Sequence, residues 1–255
     1  MRHVFTLCSR ELAAYFLTPT AYLVLLAFQA VAWLNFWDLV DVLARPQRTL
    51  SVAQSPINAY LSGSMPFWFA VVFAVPVLTM RLLAEERRSG TIETLLTAPV
   101  TEAQVVMAKW LAGLAMFVAL LVPFWLYLPF LYFQADYRFD LGPPLALGLG
   151  MLTLGMMFTA IGLFYSALTR QQVLAAIATF VTLFLLLFVT FIGERTAVER
   201  GSPWSAVARY CSPIGQALTL GVGQLDLRFL ALHVSVCVLF LYLTVQVLRS
   251  RETAG

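Results

Sequence analysis

Six apolar runs dominate this sequence. A helix needs roughly 20 residues to cross a bilayer, and each run is close to that length or longer. They are Leu17–Trp37, Ser64–Leu83, Val105–Phe133, Pro144–Leu168, Val173–Gly193 and Phe229–Leu248. The chain is 61% hydrophobic and only 11% charged, which leaves more apolar surface than a soluble protein of 255 residues can bury. We therefore predict an all-α membrane protein with six transmembrane helices. No internal repeat or linker divides it, so residues 1–255 are expected to form one domain.

Prolines and glycines predict where these helices bend and where they touch. Pro66 and Pro76 in the second run, and Pro123 and Pro129 in the third, predict a tilt or a break. The fourth run carries small residues that let another helix approach closely. These are Ala146, Gly148, Gly150, Gly155 and Gly162. Tight packing is the favoured interpretation, and a gate is the alternative.

The segments outside the runs predict the remaining elements. Apolar residues recur at helical spacing in Val4–Phe16, which predicts an amphipathic helix in the membrane interface; an ordinary tail is the alternative. The connection Glu194–Arg228 is too apolar for a free loop and predicts short helices at the outer face. Lys and Arg are about twice as dense in the segments that lie inside if the N-terminus is cytoplasmic. Both termini are therefore expected in the cytoplasm.

The connection between the second and third runs, Glu85–Val100, combines charge with large aliphatic residues. It opens with four charged residues, Glu85, Glu86, Arg87 and Arg88. Ser89 or Thr91 can cap a helix start, and Ile92, Leu95 and Leu96 then share one face before Pro99 ends the helix. Thr101–Gln104 reads as a capping box that starts the third span. The pattern predicts a short amphipathic helix that can touch a soluble partner; a solvated surface turn is the alternative.

Several kinds of chemistry lack their residues in this sequence. The only lysine, Lys109, follows Ala108 rather than a glycine, so the chain has no phosphate-binding P-loop. Neither an HExxH zinc motif nor a GxSxG nucleophile elbow is present. Glu85 and Glu86 resemble the glutamate pair of CAAX-type membrane proteases, but Gly90 stands where that pattern requires arginine. We expect no catalytic residue, no metal site and no bound cofactor on this chain, and no nucleic-acid partner.

The sequence E-E-R-R-S-G-T-I-E-T-L-L-T-A-P-V at Glu85–Val100 resembles the first-cytoplasmic-loop signature of ABC-2-type permeases. Arg10–Tyr22 and Gly221–Arg251 are similar to the two ends of the gliding-motility-type (GldF-like) group of these permeases. Gln216-Ala217, after Ser212-Pro213, departs from that group, which often has a histidine and an aromatic residue there.

This resemblance implies a permease subunit of an ATP-driven exporter in the bacterial inner membrane. A separate soluble ABC ATPase, expected in two copies, would bind ATP and Mg²⁺, and the permease would pair with a second copy or a close relative. The implied coupling helix would dock on the ATPase through Gly90, Thr91, Ile92, Glu93, Leu95 and Leu96. Glu85, Glu86, Arg87 and Arg88 would tie it to neighbouring helices or to the ATPase. Membrane lipids, and accessory membrane or periplasmic proteins, are further expected partners.

The residues leave two functions open. The first is the permease described above, whose apolar walls favour an amphiphilic or lipid-linked cargo. The second is a polytopic anchoring or assembly protein without a transport pathway, whose first loop recruits some other soluble protein. A neighbouring gene for a P-loop ATPase would favour the permease.

Overall fold

The computed structural model describes residues 2–44, 64–90, 101–134, 142–196, 207 and 210–252, and the regular elements in these ranges are all α-helices. They are α1 (Arg2–Phe16), α2 (Pro19–Ala44), α3 (Met65–Thr79), α4 (Arg81–Ser89), α5 (Glu102–Gln134), α6 (Gly142–Leu168), α7 (Gln172–Thr196), α8 (Pro213–Gly221) and α9 (Leu227–Glu252). Six stretches are long and apolar enough to cross a membrane, with α3 and α4 together forming the second. The predicted all-α, six-span architecture is confirmed. The predicted coupling helix, which falls in residues 91–100, lies outside the described residues.

Helix α6 forms the centre of the bundle. It contacts α3, α4, α5, α7, α8 and α9, and 72% of its span is buried, whereas only 17% of the α9 span and 22% of the α7 span are buried. The spans built from α3–α4, α5 and α6 therefore lie inside, and α2, α7 and α9 lie around them. Large apolar side chains such as Leu26, Leu185 and Val238 are exposed on these outer helices, as expected for surfaces that face lipid.

Three glycines of α6 are places where a different helix makes close contact. A Cβ at Gly155 would lie 2.2 Å from the Phe117 ring on α5, and one at Gly150 would lie 2.2 Å from Leu220 on α8. At Gly162 it would lie 2.1 Å from Thr79 Oγ1 on α3. A side chain at Gly155 or Gly162 would collide with the Phe117 ring or with Thr79 Cβ, so glycine allows these neighbours to reach the α6 backbone; at Gly150 the flexible end of Leu220 could move aside. The favoured interpretation of this run as a packing surface is confirmed.

The second span is longer than predicted, and its helix is interrupted once. It runs from Met65 to Ser89, beyond the expected end at Leu83, and the helical hydrogen bonding breaks at Met80, between α3 and α4. The predicted break in this span is present, but Pro76 lies before it and still accepts a bond from the Met80 N–H at 2.9 Å, so its missing N–H is not the cause. Pro66 has a different role, because it occupies the first turn of α3 after the Ser64 cap, where a missing N–H costs nothing.

Of the tilt or break predicted at Pro123 and Pro129, the break is absent and the tilt stays a prediction. Helix α5 continues from Glu102 to Gln134 through both Pro123 and Pro129, without an interruption of the kind seen at Met80. The third span is therefore a single long helix, and its 33 residues exceed the length that a bilayer requires.

The described part of the connection between the fifth and sixth spans contains the short helix α8, as predicted for a segment so apolar. Ser212 caps it through a 2.9 Å bond from the Gly215 N–H, and Pro213 occupies its first turn. Its Gln216 is buried and places Oε1 2.9 Å from His233 Nε2, while Thr153 Oγ1 lies 3.0 Å from His233 Nδ1. His233, which the sequence presents as an isolated histidine, thus joins α8 and α6 to α9.

We predict that Gly162→Ala lowers the free energy of unfolding by about 1–3 kcal/mol, the usual cost of overpacking a core. The new methyl group would overlap Thr79, whose Cβ would lie only 2.7 Å from it and cannot swing away. Thermal unfolding of the purified protein in detergent measures the loss. Gly148→Ala is the matched control, because its Cβ would meet Trp125 ring atoms at 3.3 Å, which a shift of a few tenths of an ångström relieves, and it should cost less than Gly162→Ala. Equal stability of both variants would contradict the close α3–α6 contact.

Candidate functional site

The predicted coupling-loop charges form the end of α4 and not the start of a new helix. Glu85, Glu86, Arg87 and Arg88 lie in the last turns of α4, which ends at Ser89. Ser89 Oγ donates to the Glu85 carbonyl oxygen at 3.0 Å, and Gly90 adopts φ +74°, the left-handed conformation that terminates helices. Ser89 thus lies in the last turn of the preceding helix. Its role as a cap for a following helix stays a prediction, because that helix would fall outside the described residues. Thr91 as that cap stays a prediction, since it lies outside the described residues.

On the other side of the connection, the capping box is confirmed. The Gln104 N–H donates to Thr101 Oγ1 at 3.4 Å, and the Thr101 N–H donates to Gln104 Oε1 at 3.3 Å. These reciprocal bonds satisfy N–H groups that the first turn of α5 would otherwise leave without partners. Loop 91–100 is thus bounded by a defined helix end at Gly90 and a defined helix start at Thr101. The predicted docking residues Thr91, Ile92, Glu93, Leu95 and Leu96 lie within this loop, outside the described residues.

Lys109 is the residue that holds the two ends of the loop together. Its side chain, on α5, is 3% exposed, and Nζ lies 2.8 Å from Glu86 Oε1 on α4 and 3.0 Å from Glu11 Oε1 on α1. An ammonium group buried to this extent is stable only when it is paired and hydrogen-bonded, so the two carboxylates are a physical requirement. We call Glu11, Glu86 and Lys109 the lysine clamp. It fixes α1 to the helices on both sides of loop 91–100.

Two further ion pairs near the loop involve more exposed side chains. Arg81 Nε lies 3.0 Å from Glu85 Oε2, but the Glu85 side chain is 48% exposed. Arg249 on α9 lies 3.7 Å from Glu102 at the start of α5, and it too is largely exposed. Exposed pairs of this kind contribute little to stability. Among the four predicted charges, Glu86 links the end of α4 to α5 through its 2.8 Å contact with Lys109.

Helix α1 lies against this site and is amphipathic, as predicted. Tyr15 is buried and its hydroxyl donates to the Leu78 carbonyl oxygen on α3 at 2.5 Å. Burial, followed by the charge of Glu11, raises the pKa of Tyr15 above its ordinary value, so its phenol stays protonated and can donate. The same two causes raise the pKa of Cys8. Phe5 and Leu17 are exposed on or beside this helix, which suits an element lying in a membrane interface.

Comparison with known families decides what kind of protein carries this arrangement. The family model described as ABC-2 family transporter protein matches residues 15–248, which include the first five spans, nearly all of the sixth, and the lysine clamp except Glu11. The chain belongs to the ABC-2 transporter family. This ABC-2 protein is therefore a membrane-spanning permease component, and its family implies an ABC ATPase partner. A search of curated proteins gave no match.

Sequence reasoning misses the lysine clamp, although a signal is present. Lys109 is the single lysine of the chain, and it stands inside an apolar run. An ionisable residue in such a run needs a partner and is a candidate functional residue for that reason alone. Glu11 and Glu86 cannot be paired with it from the sequence, since they come from two other helices. Among the described residues, no group of His, Cys, Asp and Glu could hold a metal ion.

We predict that Lys109→Met lowers the free energy of unfolding by about 3–5 kcal/mol, because it leaves two facing carboxylates without their counter-charge. The triple reversal Glu11→Lys, Glu86→Lys, Lys109→Glu restores two attractions with inverted sign and should recover most of the loss. Thermal unfolding in detergent measures both. Arg249→Met, which removes an exposed partner, is the control and should cost less than about 1 kcal/mol. A triple variant no more stable than Lys109→Met would contradict the clamp.

Proposed function

We propose that this ABC-2 protein is the permease subunit of an ATP-driven exporter and that loop 91–100 docks on the ATPase. Family membership over residues 15–248 is the observation that carries the first part of the proposal. The docking part is supported by the lysine clamp, since a loop that transmits force needs both of its ends fixed to the bundle. Gly90, Thr91, Ile92, Glu93, Leu95 and Leu96 supply the docking surface.

The ATPase supplies the hydrolytic chemistry that the chain lacks. ATP and Mg²⁺ bind to two ATPase subunits, and closure of these subunits around ATP displaces the docked loop. The permease pairs with a second copy or a close relative in the bacterial inner membrane, with both termini in the cytoplasm. The similarity at both ends of the chain supports the gliding-motility-type group, and the apolar interior favours an amphiphilic or lipid-linked cargo. Accessory membrane or periplasmic proteins complete the assembly.

We predict that Glu93→Arg abolishes association with the ATPase while leaving insertion and folding intact, because it reverses a charge in the docking surface. The measurement is recovery of the ATPase with the tagged protein from native membranes in mild detergent. Asp38→Arg reverses an exposed charge at the far end of α2 and should leave recovery unchanged. Normal recovery with Glu93→Arg would contradict the docking assignment. Recovery of the wild-type protein with no ATPase at all would favour an anchoring or assembly protein.

A further inference from the structure

One side chain of α6 occupies the break in the second span. The hydroxyl of Ser166 accepts hydrogen bonds from the backbone N–H groups of Leu83 and Ala84, each at 3.0 Å, and donates to the Met80 carbonyl oxygen at 2.9 Å. Ser166, Leu83 and Ala84 are all fully buried. A side chain inserted into the helical ladder in this way is a recognised cause of helix interruption. Ser166 thus links the first turn of α4 directly to α6.

These bonds cannot be exchanged for bonds to solvent. In the interior of a membrane bundle, a backbone N–H that loses its partner finds no water to replace it. The carbonyl of Leu78, just before the break, is bonded in turn by Tyr15 of α1. One turn before Ser166, Gly162 lets Thr79 lie directly against the α6 backbone. The break is therefore held against α6 by both hydrogen bonds and close packing.

The position of the break gives it a mechanical consequence. Helix α4 is a rigid element of nine residues, about 13 Å long at 1.5 Å per residue, and its C-terminal end leads directly into loop 91–100. Its other end is separated from α3 by the break at Met80 and bonded to α6 by Ser166. A force applied at the loop therefore reaches α6 more directly than it reaches α3. Since α6 contacts most of the other helices, its displacement would shift the helices packed against it.

We propose that Ser166 is a positioning residue that transmits displacement of loop 91–100 through α4 to α6, with the break at Met80 as the joint. This inference rests on the proposed docking of the loop on an ATPase. Ser166 lies outside the loop, and its burial alone would require only a structural role. Here it has a role in coupling as well.

The test compares two distances in the complex of this protein with the ABC ATPase that co-purifies with it. Nitroxide labels are placed in a background lacking Cys8, Cys211 and Cys237, at the exposed positions Leu34 of α2, Arg88 of α4 and Leu149 of α6. The pair 34–88 reports the movement of α4, and the pair 34–149 reports the movement of α6. Each pair is measured by EPR with and without ATP and vanadate, in samples diluted with unlabelled protein so that distances within one copy dominate.

In the wild-type complex, we expect vanadate trapping to shift both distances. In Ser166→Ala, the 34–88 shift should persist and the 34–149 shift should be lost, because α4 then moves without carrying α6. Thr244→Val is the matched control, since it removes a buried hydroxyl that donates to the Phe240 carbonyl oxygen within its own helix. This control should keep both shifts. If Ser166→Ala also keeps both shifts, Ser166 serves only stability and the proposal is overturned.

A second measurement needs no variant and covers the case in which Ser166→Ala fails to fold. Bonds that transmit a displacement must persist during it, so amide hydrogen exchange at Leu83 and Ala84 should stay slow in the trapped wild-type complex. Accelerated exchange at these two amides would overturn the proposal. Failure of the docking proposal looks different, because the wild-type protein would then bind no ATPase and no trapped complex would form.

Discussion

The buried ammonium group of Lys109 is the constraint on which the functional end of this structure depends. A charge that is almost completely removed from water is stable only beside counter-charges, and here these come from α1 and α4. Three elements that are distant in sequence are thereby forced together. Packing at small residues, such as that of Thr79 against Gly162, positions α3 and α6, and the clamp adds directional contacts among α1, α4 and α5. These contacts set the positions of α1, α4 and α5 relative to one another.

The positions of the two helix ends that flank residues 91–100 depend on these contacts. Once α4 and α5 are fixed relative to each other, Gly90 and Thr101 become fixed points, and a loop of ten residues must connect them. The hydroxyl of Ser166 then joins the same short helix α4 to α6, the central helix. The loop is thus connected to the interior by a rigid element. This arrangement suits the proposed docking on a separate ATPase, because one short helix connects the proposed docking segment to α6.

Much of the architecture is predictable because hydropathy, capping and small-residue spacing are local signals. The six spans, the Thr101–Gln104 capping box, the start of α8 at Pro213 and the packing role of Gly162 can be read from neighbouring residues. The lysine clamp cannot be read from neighbouring residues, because its members are far apart in sequence. The extension of the second span beyond Leu83 is also missed, because the charged stretch Glu85–Arg88 gives no hydropathy signal for a helix that continues to Ser89. The prolines of α5 show that a missing N–H does not by itself dictate a break.

The most direct test of the account is to identify what loop 91–100 touches. A photo-crosslinking amino acid at position 95, introduced into the tagged protein in its native membrane, would capture the neighbour for identification by mass spectrometry. The account predicts crosslinked peptides from a soluble ABC ATPase that contains a P-loop, and their loss when Glu93→Arg is added. Crosslinks only to lipid or to this chain itself, from membranes in which the ATPase still co-purifies, would show that coupling does not run through this loop.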